Sequence, residues 1–148
     1  MGFNLTRSLL SDTALCLVVS QFCEDIVELK CSVMLYDLTE LKSYSNGDKE
    51  FEADMFQTFL DQAPEFLSQI QTYLAQNNIS EAGKSAHKFK SSVGIFGMET
   101  IRKGLEELEN SCRITAEYDH LQELFSDVRT LVNEVIPQIE RERQRCFA

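Results

Sequence analysis

Apolar residues recur three and four positions apart over long stretches of this 148-residue chain, and this spacing predicts amphipathic helices. The clearest run comprises Phe51, Met55, Phe59, Ala63, Phe66/Leu67, Ile70 and Leu74. Only two prolines and six glycines occur in the whole chain, so helix is favoured along most of its length. The predicted fold class is therefore all-α.

Several residues mark where these helices begin and end. Asn46-Gly47-Asp48 supplies a turn and an N-cap ahead of the first long helix, in which Pro64 predicts a kink or a local break. Ser80 is the predicted N-cap of a second long helix over residues 81–96. Gly97 then suits the left-handed position that follows a helix.

Two further long helices complete the predicted arrangement. The third begins near Met98, and its predicted buried residues are Ile101, Leu105, Leu108 and Cys112. The fourth runs over residues 118–143, and Asp37 is the predicted N-cap of a short capping helix that precedes the first long one. Long helices joined by short turns predict an antiparallel up-down four-helix bundle.

The first 34 residues fit this pattern less well, although residues 13–29 predict an additional N-terminal helical segment. The predicted domains are thus an N-terminal extension, 1–34, and a bundle domain, 35–148. Met34 stands just before the bundle, which leaves open a start of translation at that residue.

The charge balance excludes some classes of partner. A formal net charge of -10 disfavours nucleic acid and anionic membrane surfaces, because both attract an excess of Lys and Arg. The five cysteines show no zinc-type spacing, which favours reduced thiols and no metal site. We expect a cytoplasmic protein without a membrane segment, either monomeric or dimeric through residues 1–34.

One segment departs from the acidic character of the chain. The stretch KSAHKFKSSVGIFGM, residues 84–98, contains three lysines, one histidine, two glycines and one methionine. It contains no carboxylate. At about 100° per residue, its predicted core side carries Ala82, Ala86, Phe89, Val93 and Phe96. The predicted solvent side carries Gly83, Lys84, His87, Lys90, Ser91 and Gly94, with Lys88 on its flank.

The helical pattern alone leaves two interpretations of this solvent side open, an ordinary surface histidine and a phosphoryl acceptor. A neutral imidazole at His87 offers a ring nitrogen as a nucleophile, and nearby lysines can hold phosphoryl oxygens by charge-assisted hydrogen bonds. Two glycines within one helix each cost roughly 1 kcal/mol relative to alanine. We expect Gly83 and Gly94 to give a partner close access to His87.

The residues Ala86-His87-Lys88-Phe89-Lys90-Ser91-Ser92, followed by Phe96-Gly97-Met98, resemble the motif of histidine-containing phosphotransfer (HPt) domains of bacterial phosphorelays. The stretch LYDLTELKSYSNGDKEFEADMFQTFLDQAPEFLSQI also resembles the first two helices of that family, and the resemblance covers about residues 35–145. Ser91 stands where many members have glycine.

The resemblance implies a mechanism and a set of partners. His87 would accept the phosphoryl group and Lys90 would help to hold it, with Gly83, Lys84, Lys88, Ser91 and Gly94 at the partner-binding surface. The implied partners are receiver domains and a hybrid histidine kinase. Magnesium would be bound by the receiver, and no cofactor by this chain.

Other functions receive less support from the sequence. No glycine-rich nucleotide-binding motif is present, so an autonomous kinase is not expected. His120, the other histidine, lacks metal-site or catalytic spacing and is expected to decorate the last helix. The main alternative is a helical protein–protein interaction module that is not phosphorylated.

Overall fold

The computed structural model describes residues 34–114 and 116–148, which form five helices and no strand. The helices are α1 Thr39–Ser45, α2 Lys49–Ala75, α3 Ile79–Ile95, α4 Glu99–Arg113 and α5 Tyr118–Phe147. Helices α2 and α4 each pack on both α3 and α5, while α1 packs on α2. Short connections make successive long helices antiparallel. The predicted all-α bundle with a short capping helix is confirmed.

Three predictions fall on residues outside the described ranges. These are the additional N-terminal helical segment, the assignment of residues 1–34 as a separate extension, and the state of Cys16, Cys23 and Cys31. Of the cysteines in the described part of the chain, Cys112 is buried and Cys146 is partly buried, and both are free thiols.

The core of the bundle follows the predicted apolar stripes. Its last helix contributes Leu121, Phe125, Val128, Val132, Val135 and Ile139. Phenylalanines join α2 to α3 and to its C-cap residue, with ring centroids 5.2 Å apart for Phe66 and Phe89 and 5.0 Å apart for Phe59 and Phe96. Aromatic pairs at such distances contribute beyond the area that they bury. This packing fixes the face that α3 turns away from the core.

Two predicted helix-end signals are present in the structure. The Asp48 carboxylate accepts hydrogen bonds from the backbone N–H groups of Glu50 and Phe51, as an N-cap does. Gly97 has φ +60°, the left-handed conformation that favours glycine. A Cβ on Gly97 would also lie only 2.4 Å from the backbone oxygen of Asp37. Gly97 therefore permits both the turn and the close approach of the segment that precedes α1.

Two N-cap predictions were wrong by one or two residues. Helix α3 begins at Ile79, and Asn78, not Ser80, is its N-cap, because the Asn78 side chain accepts from the N–H of Glu81. Asn and Ser are about equally good at this position, so the sequence alone did not separate them. Asp37 accepts from the N–H of Thr39 but lies one residue before the N-cap of α1.

Of the kink or local break predicted at Pro64, the break is absent, and the prediction of a helix end near residue 143 was wrong. Helix α2 continues through Pro64, whose exposed position leaves Ala63 and Leu67 buried on either side of it. Helix α5 continues to Phe147, and ion pairs three residues apart join Glu140 to Arg143 and Glu142 to Arg145 in its last turns. Such pairs support helix on an exposed surface.

None of the helices within residues 34–114 and 116–148 combines the length and the apolar character that crossing a bilayer requires.

Candidate functional site

His87 lies in the middle of α3 on the face turned away from the core. Its neighbours Ala86 and Phe89 are buried, whereas the His87 side chain is 57% exposed. The predicted helical phase of this residue is therefore correct. A partner can reach the imidazole ring directly from solvent.

A carboxylate from the adjacent helix lies beside this histidine. Glu109 of α4 is only 4% exposed, and its Oε1 lies 3.1 Å from His87 Nδ1. The other oxygen, Oε2, accepts a hydrogen bond of 2.8 Å from Lys90 Nζ, while Arg113 also donates to Oε1. One buried carboxylate thus joins three basic side chains from two helices.

These contacts favour the ionised form of Glu109. The Lys90 ammonium, followed by the His87 ring, holds the pKa of the Glu109 carboxyl below its ordinary value of 4.5, against the burial that would raise it. An ionised carboxylate only accepts hydrogen bonds. Glu109 is therefore a permanent acceptor at neutral pH.

The acceptor determines which ring nitrogen of His87 is available. Because Glu109 can only accept, Nδ1 carries the proton in the 3.1 Å contact. In the neutral ring, Nε2 then keeps its lone pair, and Glu109 does not engage it. The site therefore presents one defined nucleophilic nitrogen.

The three lysines of α3 differ in their surroundings. Lys90 is 23% exposed because it lies against Glu109, whereas the Lys84 side chain is 64% exposed and pairs with Glu81 at 2.6 Å. Lys88 is exposed and forms no ion pair within the part of the chain that the structure describes. The three lysines thus place positive charge around His87, and the carboxylates of Glu81 and Glu109 balance part of it.

The two glycines of α3 have different surroundings. Gly83 is buried, and a Cβ there would lie 3.0 Å from the Cβ of Cys112, so its small size allows α3 and α4 to approach. The prediction that Gly83 lies on the solvent side was wrong, because α4 covers it. At Gly94 a Cβ would meet nothing within 4 Å. Ser91 is exposed, one turn after His87.

The second histidine takes no part in this site. His120 is exposed in the first turn of α5, as predicted. Within residues 34–114 and 116–148, no group of three His, Cys, Asp or Glu side chains is placed to hold a metal ion.

Sequence reasoning missed Glu109 and Arg113. Both lie on α4, 22 and 26 residues beyond His87, and a helical wheel of α3 contains no information on the neighbouring helix. One signal was present: Glu109 directly follows Leu108 within the apolar stripe of α4, where a carboxylate needs a basic partner.

Comparisons with known proteins point to one family. Residues 54–141 match the model of the Hpt domain family. The fold is similar to the crystal structure of the HPT domain from the Hpt sensor hybrid histidine kinase from Shewanella, with a TM-score of 0.64 and 18% sequence identity. That similarity covers 75% of this chain and 95% of the Shewanella domain. No curated protein matches the sequence.

The family match extends over more than half of the chain and includes α3 with His87 and α4 with Glu109. Hpt domains carry phosphoryl groups rather than act as kinases, and they interact with receiver domains and histidine kinases. This chain belongs to the Hpt domain family, the phosphotransfer modules of two-component systems.

Proposed function

We propose that this chain relays a phosphoryl group between the aspartates of receiver domains through a phosphohistidine at His87. The observation that carries this proposal is the contact of 3.1 Å between His87 Nδ1 and the buried Glu109 carboxylate, on a ring that is 57% exposed. It leaves Nε2 as the nitrogen that reacts. The family match supports the same type of chemistry.

In the forward step, Nε2 donates its lone pair to the phosphorus of a phosphoaspartate. The N–P bond forms as the P–O bond breaks, and the aspartate leaves as a carboxylate with the electron pair. The ring then carries a positive charge and still donates its Nδ1 proton to Glu109, which stabilises it as a buried carboxylate stabilises the imidazolium of a catalytic triad. The same steps in reverse deliver the phosphoryl group to a second receiver.

The receiver supplies what this chain does not. We propose that it brings the magnesium ion and the acidic pocket around its aspartate, and that the chain has no ATP site of its own. Lys84 and Lys88 lie one turn before and one residue after His87, so they favour approach of such an acidic pocket.

The proposal is tested by a two-stage transfer. The chain is incubated with a phosphorylated receiver domain and magnesium, separated from it, and then mixed with a second, unphosphorylated receiver. Acid-labile label should appear on the chain and leave it in the second stage. A folded chain that takes no label from receivers would instead favour an interaction module without phosphorylation.

Replacing Lys90 with Ala should slow transfer roughly tenfold. The Lys90 ammonium already lies 2.8 Å from Glu109, and one turn of helix separates it from His87, so it can turn toward phosphoryl oxygens when the ring is phosphorylated. A charge-assisted hydrogen bond of about 1.5 kcal/mol corresponds to such a factor. The measurement is the single-turnover transfer rate, with Lys103→Ala, an exposed lysine of α4, as the matched control. Equal rates for the two variants would remove this role from Lys90.

Replacing Glu109 with Gln should slow transfer roughly tenfold to a hundredfold, since hydrogen bonds to charged groups contribute about 1.5–3 kcal/mol. The amide keeps the size of the side chain but loses the charge that orients and stabilises the ring. Nitrogen NMR of the ring should show proton on Nδ1 in the wild type and a mixture of tautomers in the variant. Glu107→Gln, at an exposed position of α4, is the control. An unchanged tautomer in the variant would contradict the positioning role.

The same variant should change how the free energy of unfolding depends on pH in the acid range. Because the pKa of Glu109 is lowered in the folded protein, its stabilising contribution is present above the ordinary value of 4.5 and is lost as the pH falls through the folded value. Glu109→Gln should therefore lose less stability than the wild type between neutral pH and acid.

A further inference from the structure

Arg113 and His87 contact the same oxygen of Glu109. His87 Nδ1 lies 3.1 Å from Glu109 Oε1, and Nη2 of Arg113 donates to that oxygen as well. Lys90 instead donates to the other oxygen, Oε2. The guanidinium and the imidazole therefore share one acceptor, and the two nitrogens that contact it lie within about 6 Å of each other.

Helix stability alone does not explain where the Arg113 side chain lies. Arg113 is the last residue of α4, and a cation at a helix C-terminus or four residues after a glutamate stabilises a helix. Exposed carboxylates serve that purpose, as Glu99 and Glu106 do for Arg102. Arg113 donates instead to the buried Glu109 carboxylate, which also contacts the reacting ring.

The Arg113 side chain can leave this contact at little cost in burial. It is 68% exposed, whereas the Lys90 side chain is 23% exposed beside Glu109. A guanidinium stays charged at neutral pH and carries five N–H donors in a planar fork that matches phosphoryl oxygens. Within the part of the chain that the structure describes, Glu109 engages only one of its nitrogens. Arg113 therefore has donors left for a second anion.

Phosphorylation of His87 would change the charges around this arginine. In the free chain, the Glu109 carboxylate faces the cations Lys90 and Arg113 beside a neutral ring. A phosphoryl group on Nε2 adds about two negative charges, and the ring, still protonated at Nδ1, becomes positive. The phosphoryl group is then the more highly charged anion near Arg113, and the imidazolium uses the oxygen that Arg113 occupied.

We propose that Arg113 exchanges partners on phosphorylation: it leaves Glu109 Oε1, binds the phosphoryl oxygens on His87, and returns when the group is passed on. The inference rests on the proposed function and deepens it. The exchange stabilises the phosphorylated state in two ways, because the phosphoryl group gains a guanidinium and the imidazolium gains sole use of Oε1. Arg113 is thereby a second catalytic cation, supplied by α4, and it shifts the phosphoryl group from the receiver toward this chain.

The test measures an equilibrium, because an equilibrium separates this role from binding of the receiver. A phosphorylated receiver domain and the full chain are mixed in dilute solution with magnesium until the labelled fractions of both stop changing. The equilibrium constant depends only on the free proteins, since a contact made only within the complex speeds or slows both directions equally. The variant is Arg113→Gln. Arg102→Gln is the matched control, because Arg102 lies on the same helix, about 16 Å away along its axis.

Arg113→Gln should lower the equilibrium constant for transfer to the chain about fivefold to tenfold, as expected for loss of a charge-assisted hydrogen bond. Arg113→Lys keeps the charge without the planar fork and should restore part of the loss. Arg102→Gln should match the wild type. Equal equilibrium constants for Arg113→Gln and Arg102→Gln would overturn the exchange.

A second readout distinguishes the exchange from a purely structural role of Arg113. Nitrogen NMR of unphosphorylated Arg113→Gln should still show the proton on Nδ1 of His87, because Lys90 continues to hold the Glu109 carboxylate. A mixture of ring tautomers in this variant would overturn the exchange, since Arg113 would then serve to hold Glu109 in place.

Phosphoramidate separates failure of this inference from failure of the proposed function. Nε2 of His87 attacks its phosphorus, the N–P bond of the reagent breaks, and ammonia leaves with the electron pair. Absence of label on wild-type His87 from phosphoramidate and from every receiver would contradict the proposed function itself. Label on wild-type His87, together with an unchanged equilibrium in Arg113→Gln, would contradict only the exchange.

Discussion

His87→Gln is expected to reduce phosphoryl transfer from a receiver to background while the protein stays folded. The variant removes the ring nitrogen that attacks phosphorus, and no other side chain in the site holds a comparable lone pair. Because the His87 side chain is 57% exposed and its one side-chain hydrogen-bond partner among the described residues is Glu109, the free energy of unfolding should change by no more than about 0.5 kcal/mol.

The measurement combines the transfer rate with urea unfolding. His120→Gln, which alters the exposed histidine of α5, is the matched control and should transfer as the wild type does. Substantial transfer by His87→Gln would show that another residue accepts the phosphoryl group. Unfolding of His87→Gln would show that the ring supports the core, which its exposure in α3 contradicts.

Gly97→Ala is expected to have the largest effect on stability, a loss of about 2–4 kcal/mol. At φ +60° a Cβ costs roughly 1–2 kcal/mol. The added methyl would also lie 2.4 Å from the backbone oxygen of Asp37 and disturb the 3.0 Å hydrogen bond from Asp37 N–H to the Phe96 carbonyl. The segment that leads into α1 would have to move.

Gly94→Ala gives a sharp comparison for this prediction. It lies inside α3, and its Cβ would meet nothing within 4 Å, so the change should stabilise the helix by up to about 1 kcal/mol. Urea unfolding of the two variants measures the difference. If Gly97→Ala were as stable as the wild type, the close approach of Asp37 would not support the fold.

The sequence predicted the bundle and the exposed His87 face well, because both depend on periodicity within single helices. The buried positions of α5, from Leu121 to Ile139, and the exposure of His87 follow from a spacing of three and four residues. Such patterns carry their information locally. No knowledge of the neighbouring helix was needed to obtain them.

The errors arose where a second helix decides the environment. Gly83 has the right phase for an open surface, but Cys112 of α4 covers it. The charge around His87 was predicted as positive because α3 lacks carboxylates near it, whereas Glu109 comes from α4 and lies 3.1 Å from His87 Nδ1. A wheel drawn for α3 alone cannot supply either contact.

Helix ends and the proline were harder for another reason. Asn78 and Ser80 are both good N-cap residue types, and in the structure it is Asn78 whose side chain accepts from the N–H of Glu81. At Pro64 the packing of α2 on both sides outweighed the local loss of a hydrogen bond. Tertiary packing thus overrides the local preference at Pro64.

The central claim, that His87 accepts the phosphoryl group through Nε2, is tested most directly by locating the new bond. The chain would be phosphorylated by a receiver domain in the presence of magnesium, mapped by mass spectrometry and studied by phosphorus–nitrogen NMR. A single base-stable, acid-labile phosphoryl group on Nε2 of His87 is the predicted result. A phosphoryl group on Nδ1, on His120 or on a serine of the folded chain would contradict the claim.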